Sequence, residues 1–490
     1  MRVLPLSAAV AAAVAVSAAV GPPAAVAQKG KEKAGGPAHV FSGSPPNAGP
    51  FDVILGRPTD TSVTASVMAY QPAEAFISYG PAAGNHPHKT PPRPLAAVTP
   101  VEFVLADLPP NARVFYRLHS RAPGGEFAPG EERSFHTARP PGSSFHFTLQ
   151  ADSHLDSGTR PAVYERTLAN ALAGGTDFHI DLGDTFMTDK YPTHTDSLPQ
   201  YVAQRYYFGR IAHSAPLFLV LGNHDGERLD REDGTHDSMP VWSAMARKRL
   251  FPNPRPDGFY TGNATARKHV GSPDNYYAWE WGDALLVALD PFSTTGRTRG
   301  KNKTAEGNSA RTLGKEQYDW LATTLAGSKA KSKFVFIHHL VGGLDDSARG
   351  GAEAAVLYEW GGKGKDGRDA FKEHRPGWPA PIHQLLVTHK VSAVFHGHDH
   401  FYAHQELDGL AYVMVPQPGH AGGPDRVRSA DEYGYVRGTF LSPAGHVRVT
   451  VGPAGATGEY VRTYLPAAET AERRNGQVAH RFTAGGPPPD

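Results

Sequence analysis

The strongest constraint on the fold is a change of texture at Pro140-Pro141-Gly142. Before it, the short segments Phe51–Leu55, Ser62–Ala69, Ala75–Tyr79, Val98–Leu105, Val114–Ser120 and Arg133–Thr137 are each broken by Pro, Gly, Asn or Asp. Strands of this size, with a turn signal about every ten residues, predict a small all-β sandwich of the fibronectin or immunoglobulin type over 51–139. After Ser143 the pattern becomes strand alternating with helix. Phe145–Gln150, Phe178–Leu182, Pro216–Leu221, Leu285–Leu289, Lys333–Ile337 and Val391–Phe395 read as apolar strands. Arg160–Ala173 reads as a helix, with Thr159 available as a cap, Pro161 in the first turn and Gly174-Gly175 as a stop. Gly314–Leu325 and Ile382–His389 read as two more. Such alternation predicts a layered α/β domain, and the chain is long enough for two or three domains.

The ends differ from both parts. Arg2, an apolar run from Val3 to Val20 and the small-residue site Ala25-Val26-Ala27 predict a signal peptide over 1–27, cleaved before Gln28. The run is short and Ala-rich for a retained anchor, and no later segment could span a bilayer. The expected location is therefore outside the cytoplasm, secreted or in the periplasm or envelope of a bacterium. Residues 28–50 read as a flexible linker. Gly409–Pro416, Tyr433–Leu441 and His446–Val451 read as closing strands, giving an α/β domain over 143–465, and 466–490 as a flexible tail.

Composition removes several functions. The chain has no Cys, so disulfides, thiolate metal sites and a cysteine nucleophile are excluded. Its 49 Lys and Arg balance 48 Asp and Glu, which argues against specific nucleic-acid binding. The 25 His are the count that points to chemistry.

That chemistry sits where the strands end. Asp152-Ser-His154, Gly183-Asp184, Gly222-Asn223-His224-Asp225, His338-His339 and Gly397-His398-Asp-His400 each follow one of the apolar strands. Carboxyl ends of strands are where α/β sheets form ligand sites. In Asp152-x-His154 and His398-x-His400, a period of two places both donors on one side of an extended segment. Carboxylate, amide and imidazole donors together suit Zn, Mn or Fe. Their number exceeds what one tetrahedral ion takes, so two ions sharing a carboxylate are expected. Their surplus positive charge would attract a phosphate ester and lower the pKa of bound water.

At these residues the sequence resembles the calcineurin-like metallophosphoesterases, whose pattern D-x-H, GD, GNH(D/E), a strand-end His and G-H-x-H is matched in order from Phe145 to Val451. The resemblance implies a four-layer α/β/β/α sandwich. It implies Asp152, His154, Asp184 and His400 around one ion, and Asp184, Asn223, His338 and His398 around a second, both divalent or a mixed-valence pair of Mn, Zn or Fe. It further implies in-line attack by a metal-bridging hydroxide, with His224 catalytic and oriented by Asp225. Relatives usually carry H-x-P at the strand-end His. His338-His339-Leu340 lacks the proline, and His338 is assigned as ligand with His339 beside it. A sandwich ahead of such a core also resembles purple acid phosphatases, but their tyrosine ligand falls at Met187 here.

The expected function is that of an exported, metal-dependent phosphoric ester hydrolase acting on a small phosphate-ester substrate. A phosphodiesterase or nucleotidase is the alternative to a monoesterase. A surface binding protein with an idle metal site is the alternative of a different class. Asp156, His179 and His213 read as structural or supporting residues, Arg247-Lys248-Arg249 as a solvated helix face, and Gly226 to Asp274 as part of the site rim.

Overall fold

The computed structural model describes residues 49–484 except Gly296, Arg297, Gly300, Lys301, Asn302, Ala305, Glu306 and Gly423. The expected signal peptide and nearly all of the expected linker lie outside the described residues.

Side-chain alternation explains how the sandwich is used. A three-stranded sheet (Phe51–Gly56, Val63–Ala69 and Val101–Leu105) packs on a five-stranded sheet that includes Ala73–Gly80, Arg113–Arg121 and Ala128–His136. Val53, Leu55, Ile77, Phe103, Tyr116 and Phe135 fill the space between them. The intervening Ile54, with Met68 and Tyr70, joins a different cluster with Phe186, Tyr201, Phe208, Leu250 and Phe251 of the α/β part. Both faces of the smaller sheet are thus buried, and its second face docks the sandwich. At that junction the fully buried Arg205 donates to Asp52 through Nε at 2.9 Å and Nη2 at 2.5 Å, and to Ser66 Oγ at 3.1 Å. Removing one partner of such a pair typically costs about 3–5 kcal/mol, because the other charge stays buried and uncompensated.

The α/β part is four layers deep. One sheet has six strands, in the order Leu217–Leu219, Phe178–Asp181, Phe145–Gln150, Gly445–Gly452, Gly455–Arg462 and Val478–Thr483, the first three parallel. The other has eight strands and is parallel at its centre, across Ala284–Ala288, Ser332–Phe336, Ala393–His396 and Leu410–Met414. The inner faces share one core, in which Phe147 meets Phe334 edge-on at 5.5 Å and Phe218 stacks on Trp279 at 4.2 Å. Period two sends Phe334 and Phe336 inward, while Val335 and Ile337 go outward against helix Lys315–Gly327 and helix Ile382–Thr388. Helices α1 (Pro161–Ala173) and α2 (His194–Phe208) pack together through Tyr164, Leu168 and Tyr207, and Tyr164 meets the six-stranded sheet by accepting from Gln150 Nε2 at 2.8 Å.

Four local expectations are corrected. The tail is folded through Val478–Thr483, which pairs antiparallel with Gly455–Arg462 and buries Phe482 in the core between the sheets. Of Tyr433–Leu441 only Thr439–Leu441 is strand, because a helix, Pro424–Glu432, runs up to Tyr433. Helix α3 (Met239–Leu250) lies within Gly226 to Asp274, the segment for which no helix was expected. Its Arg247 is buried rather than solvated: Nε and Nη2 hold Glu227 at 2.6 and 2.9 Å, and Nη2 also donates to the Pro273 carbonyl at 2.7 Å.

Candidate metal centre

Each of the five motifs lies just past its strand, and the loops converge on one spot. The convergence does not come from extended backbone, as the spacing suggested. Asp152, His154, Asp184, His398 and His400 all have positive φ, between 48° and 82°. Left-handed conformations at non-glycine residues typically cost about 1–3 kcal/mol each and persist where surroundings enforce them. Here the enforcement is visible. Asp152 Oδ2 accepts from the His398 backbone N–H at 2.8 Å, and Asp184 Oδ1 accepts from that of His224 at 2.7 Å. Close approach also needs two glycines. A Cβ at Gly222 would lie 1.9 Å from Asp184 N, and one at Gly397 would lie 2.7 Å from Asp152 Oδ2.

Two donor groups result, Asp152 with His154 and His400, and Asp184 with His338 and His398. In the first, Asp152 Oδ1 lies 3.5 Å from His400 Nε2 and 3.7 Å from His154 Nε2. In the second, Asp184 Oδ2 lies 3.3 Å from His338 Nε2. Asp184 Oδ2 is also 3.8 Å from His154 Nε2, so this oxygen stands between the groups. Asn223 Oδ1 is 3.1 Å from His338 Nε2. His338 stands in the second donor group, whereas the ring of His339 packs edge-on against Phe292 at 5.2 Å and its Nδ1 donates to the Leu340 carbonyl.

The donor set fits metal ions. Asp152 Oδ1 and His154 Nε2 are buried without a hydrogen-bond partner, although unsatisfied buried polar atoms are costly. The far nitrogens are tied down: His154 Nδ1 faces Asp156 Oδ2 at 3.2 Å, His338 Nδ1 donates to the Leu182 carbonyl at 2.8 Å, and His398 Nε2 donates to the Ser347 carbonyl at 2.6 Å. Such outer partners fix which nitrogen an imidazole presents. Electrostatics agree. Burial disfavours a charged His338, yet the Asp184 and Asp152 carboxylates outweigh it and push the imidazole up to about 9. The same balance pushes His154 up to about 10, with Asp152, Asp156 and Asp184 outweighing burial. A field that favours added positive charge on two imidazoles favours cations in place of those protons.

Asp225 does not orient His224. Its Oδ1 accepts from the backbone N–H groups of Thr185 and Phe186 at 2.9 and 2.7 Å, and its Oδ2 from those of Asp184 and Gly222 at 3.1 and 2.7 Å. It staples the Gly183-Asp184 loop to the Gly222-Asn223 loop. Burial, followed by the Asp184 charge, pushes its carboxyl up to about 8. The residue beside His224 is Asp189, whose Oδ1 lies 2.9 Å from Nδ1. No motif marks Asp189 in the sequence, because the loop after Gly183-Asp184 brings it round.

Asp156 supports His154, as read, and also lies 3.2 Å from His420 Nε2. His179 and His213 are structural, bonded to Thr148 and Ser214. Two glutamines that the sequence did not single out complete the support from α2. Gln200 Nε2 donates to the His154 carbonyl at 2.6 Å, and Gln204 Nε2 donates to that of Thr185 at 2.8 Å.

A four-layer α/β/β/α core carrying two adjoining Asp/His groups at its strand ends defines a metal-dependent phosphoesterase. The family model of the calcineurin-like phosphoesterases matches residues 145–402, and the chain belongs to that family. No curated protein matches it in sequence. Among solved structures it is similar to PhoD, at 15% identity and a TM-score of 0.60, covering 90% of this chain and 92% of that one. It is likewise similar to the purple acid phosphatase PPD1 from yellow lupin seeds, at 16% identity and a TM-score of 0.57, covering 88% and 74%. These likenesses bear out the fold, including the sandwich ahead of the core. Met187, three residues beyond Asp184, is buried.

Proposed function

We propose that this chain is an exported phosphoesterase that hydrolyses a small phosphate ester at a dinuclear metal centre. The observation that carries the proposal is the pair of adjoining donor groups, in which the buried Asp152 Oδ1 and His154 Nε2 have no hydrogen-bond partner. Asp152, His154, Asp184 and His400 would hold one ion, and Asp184, Asn223, His338 and His398 the other. When bound, two such ions supply an activated water and withdraw charge from the phosphoryl oxygens. The chain's own residues do the rest. His224 borders the cleft with its side chain 27% exposed, and Asp189 fixes its ring so that Nε2 delivers a proton to the leaving oxygen. Asp225, Gln200 and Gln204 keep the ligand loops from relaxing. Export rests on the segment 1–27.

The test is hydrolysis of p-nitrophenyl phosphate and bis-p-nitrophenyl phosphate by protein loaded with Mn²⁺, Zn²⁺ or Fe. Turnover that chelation abolishes and metal restores is expected, and the ratio of the two substrates separates monoesterase from diesterase. Metal binding without turnover of either would instead make the chain a binding protein with an idle centre.

A further inference from the structure

The cleft over the donor groups encloses about 670 Å³, within the range of small-molecule sites and far more than a phosphoryl group fills. Away from the donors its wall carries Lys190, Arg228, Arg231, Arg311 and Arg349 against the carboxylates of Asp189, Asp230 and Asp346. Four of these cations are answered by carboxylates. Arg228 grips Asp230 through Nε and Nη2 at 3.1 and 2.6 Å. Arg349 pairs with Asp345 at 3.3 Å and lies over the Tyr433 ring at 4.1 Å. Lys190 and Arg231 share Asp189 at 3.8 and 3.5 Å. Arg311 differs. Its Nη1 donates to the Gly342 carbonyl at 3.2 Å and its Nη2 to that of Asp346, and among the described residues no carboxylate forms an ion pair with it.

Two carbonyls fix the plane of the guanidinium without neutralising it, and they use two of its five N–H donors. Burial, then the nearby Arg228 charge, lowers the pKa of Arg311, and the charges of Asp345, Asp230 and Asp346 offset this only in part. A rigid fork with no carboxylate in direct contact, in the wall of an anion-processing cleft, has a use when the ligand brings that contact.

We infer that the cleft binds an ester carrying a second anionic group, a carboxylate or phosphate several bonds from the scissile phosphorus, and that Arg311 receives that group. This inference rests on the phosphoesterase reading and adds its substrate class. Arg311 also clamps the loop whose Ser347 carbonyl holds His398, so its removal affects every substrate to some degree. The test must therefore be a ratio.

Three aryl phosphates differing only at the end of a para arm serve: 4-(3-hydroxypropyl)phenyl, 4-(2-carboxyethyl)phenyl and 4-(2-phosphonoethyl)phenyl phosphate. In the metal-loaded native protein at low salt, at least one anionic arm should raise kcat/KM over the hydroxyl arm by about tenfold, chiefly through KM. Whichever arm gains most identifies the group as carboxylate or phosphate. Arg311→Met should remove that preference and Arg311→Lys should keep part of it, while effects common to all arms cancel. Were the variants not to fold, the native preference should still shrink as salt is raised, since it is a charge contact. Equal rates for all three arms, a preference that survives Arg311→Met, or one indifferent to salt would overturn the inference. If only diesters are turned over, the same three arms are compared as aryl methyl phosphates, and failure to hydrolyse either series would instead reject the phosphoesterase reading.

Discussion

The two donor groups are made of like residues but are backed differently. In the first, His154 leans on the carboxylate of Asp156. In the second, His338 and His398 lean on the neutral carbonyls of Leu182 and Ser347. In the ligand sets proposed above, the charge of the donors differs in the same sense: the first would have Asp152 and a share of Asp184, and the second that share plus the neutral amide of Asn223. A carboxylate behind an imidazole raises its basicity and steadies its orientation more than a carbonyl does. The difference teaches that a near-symmetric set of motifs encodes unequal sites, the first with the stronger field for a cation.

The comparison breaks most completely at the residue the groups share. Asp184→Asn removes the one oxygen standing between them, and both ions should be lost or weakly held, with turnover lower by on the order of 10³-fold. Metal analysis after gel filtration checks this; retention of two equivalents would show that Asp184 is not shared. A smaller loss is expected from Asp189→Asn, which touches neither group. Turnover should fall about 10- to 100-fold through the misoriented His224, while metal content stays at the native level. A parallel loss of metal would mean that Asp189 acts on the centre and not on His224.

Much of this was legible beforehand, for physical reasons that differ by residue. Lys333–Ile337 announces itself because a strand buried on both faces is nearly continuously apolar, and Phe145–Gln150 because Phe145, Phe147 and Leu149 alternate onto the core. The two Asp/His groups were legible because ligand chemistry restricts residue type and strand ends restrict position. Helix α2 was hidden because the side chains it buries include Gln200, Gln204 and Arg205, polar groups spent on loop carbonyls and on Asp52, and Pro199 further disguises the pattern. Arg247-Lys248-Arg249 misled in the opposite direction: a run of charge normally faces water, but Glu227 lies far enough back in sequence to escape notice and close enough in space to bury Arg247. Asp225 was given the wrong task because adjacency in sequence suggested contact with His224, whereas the turn aims its carboxylate at four backbone N–H groups.

The smallest predicted effect is the most informative about the inequality of the sites. Asp156→Asn keeps the size of the side chain and an oxygen for the Gly158 N–H, which Asp156 Oδ1 now accepts at 2.9 Å, but it removes the charge behind His154. If that charge makes the first group the stronger, the variant should bind its first equivalent of metal about tenfold more weakly and its second as before. Titration against a competing chelator resolves the two steps. In the native protein they should be well separated, and in Asp156→Asn they should draw together. Unchanged separation would show that the carboxylate of Asp156 serves only to hold the loop. Equal weakening of both steps would show that the groups respond as one unit, and the distinction between carboxylate and carbonyl backing would then have no consequence for how the ions are held.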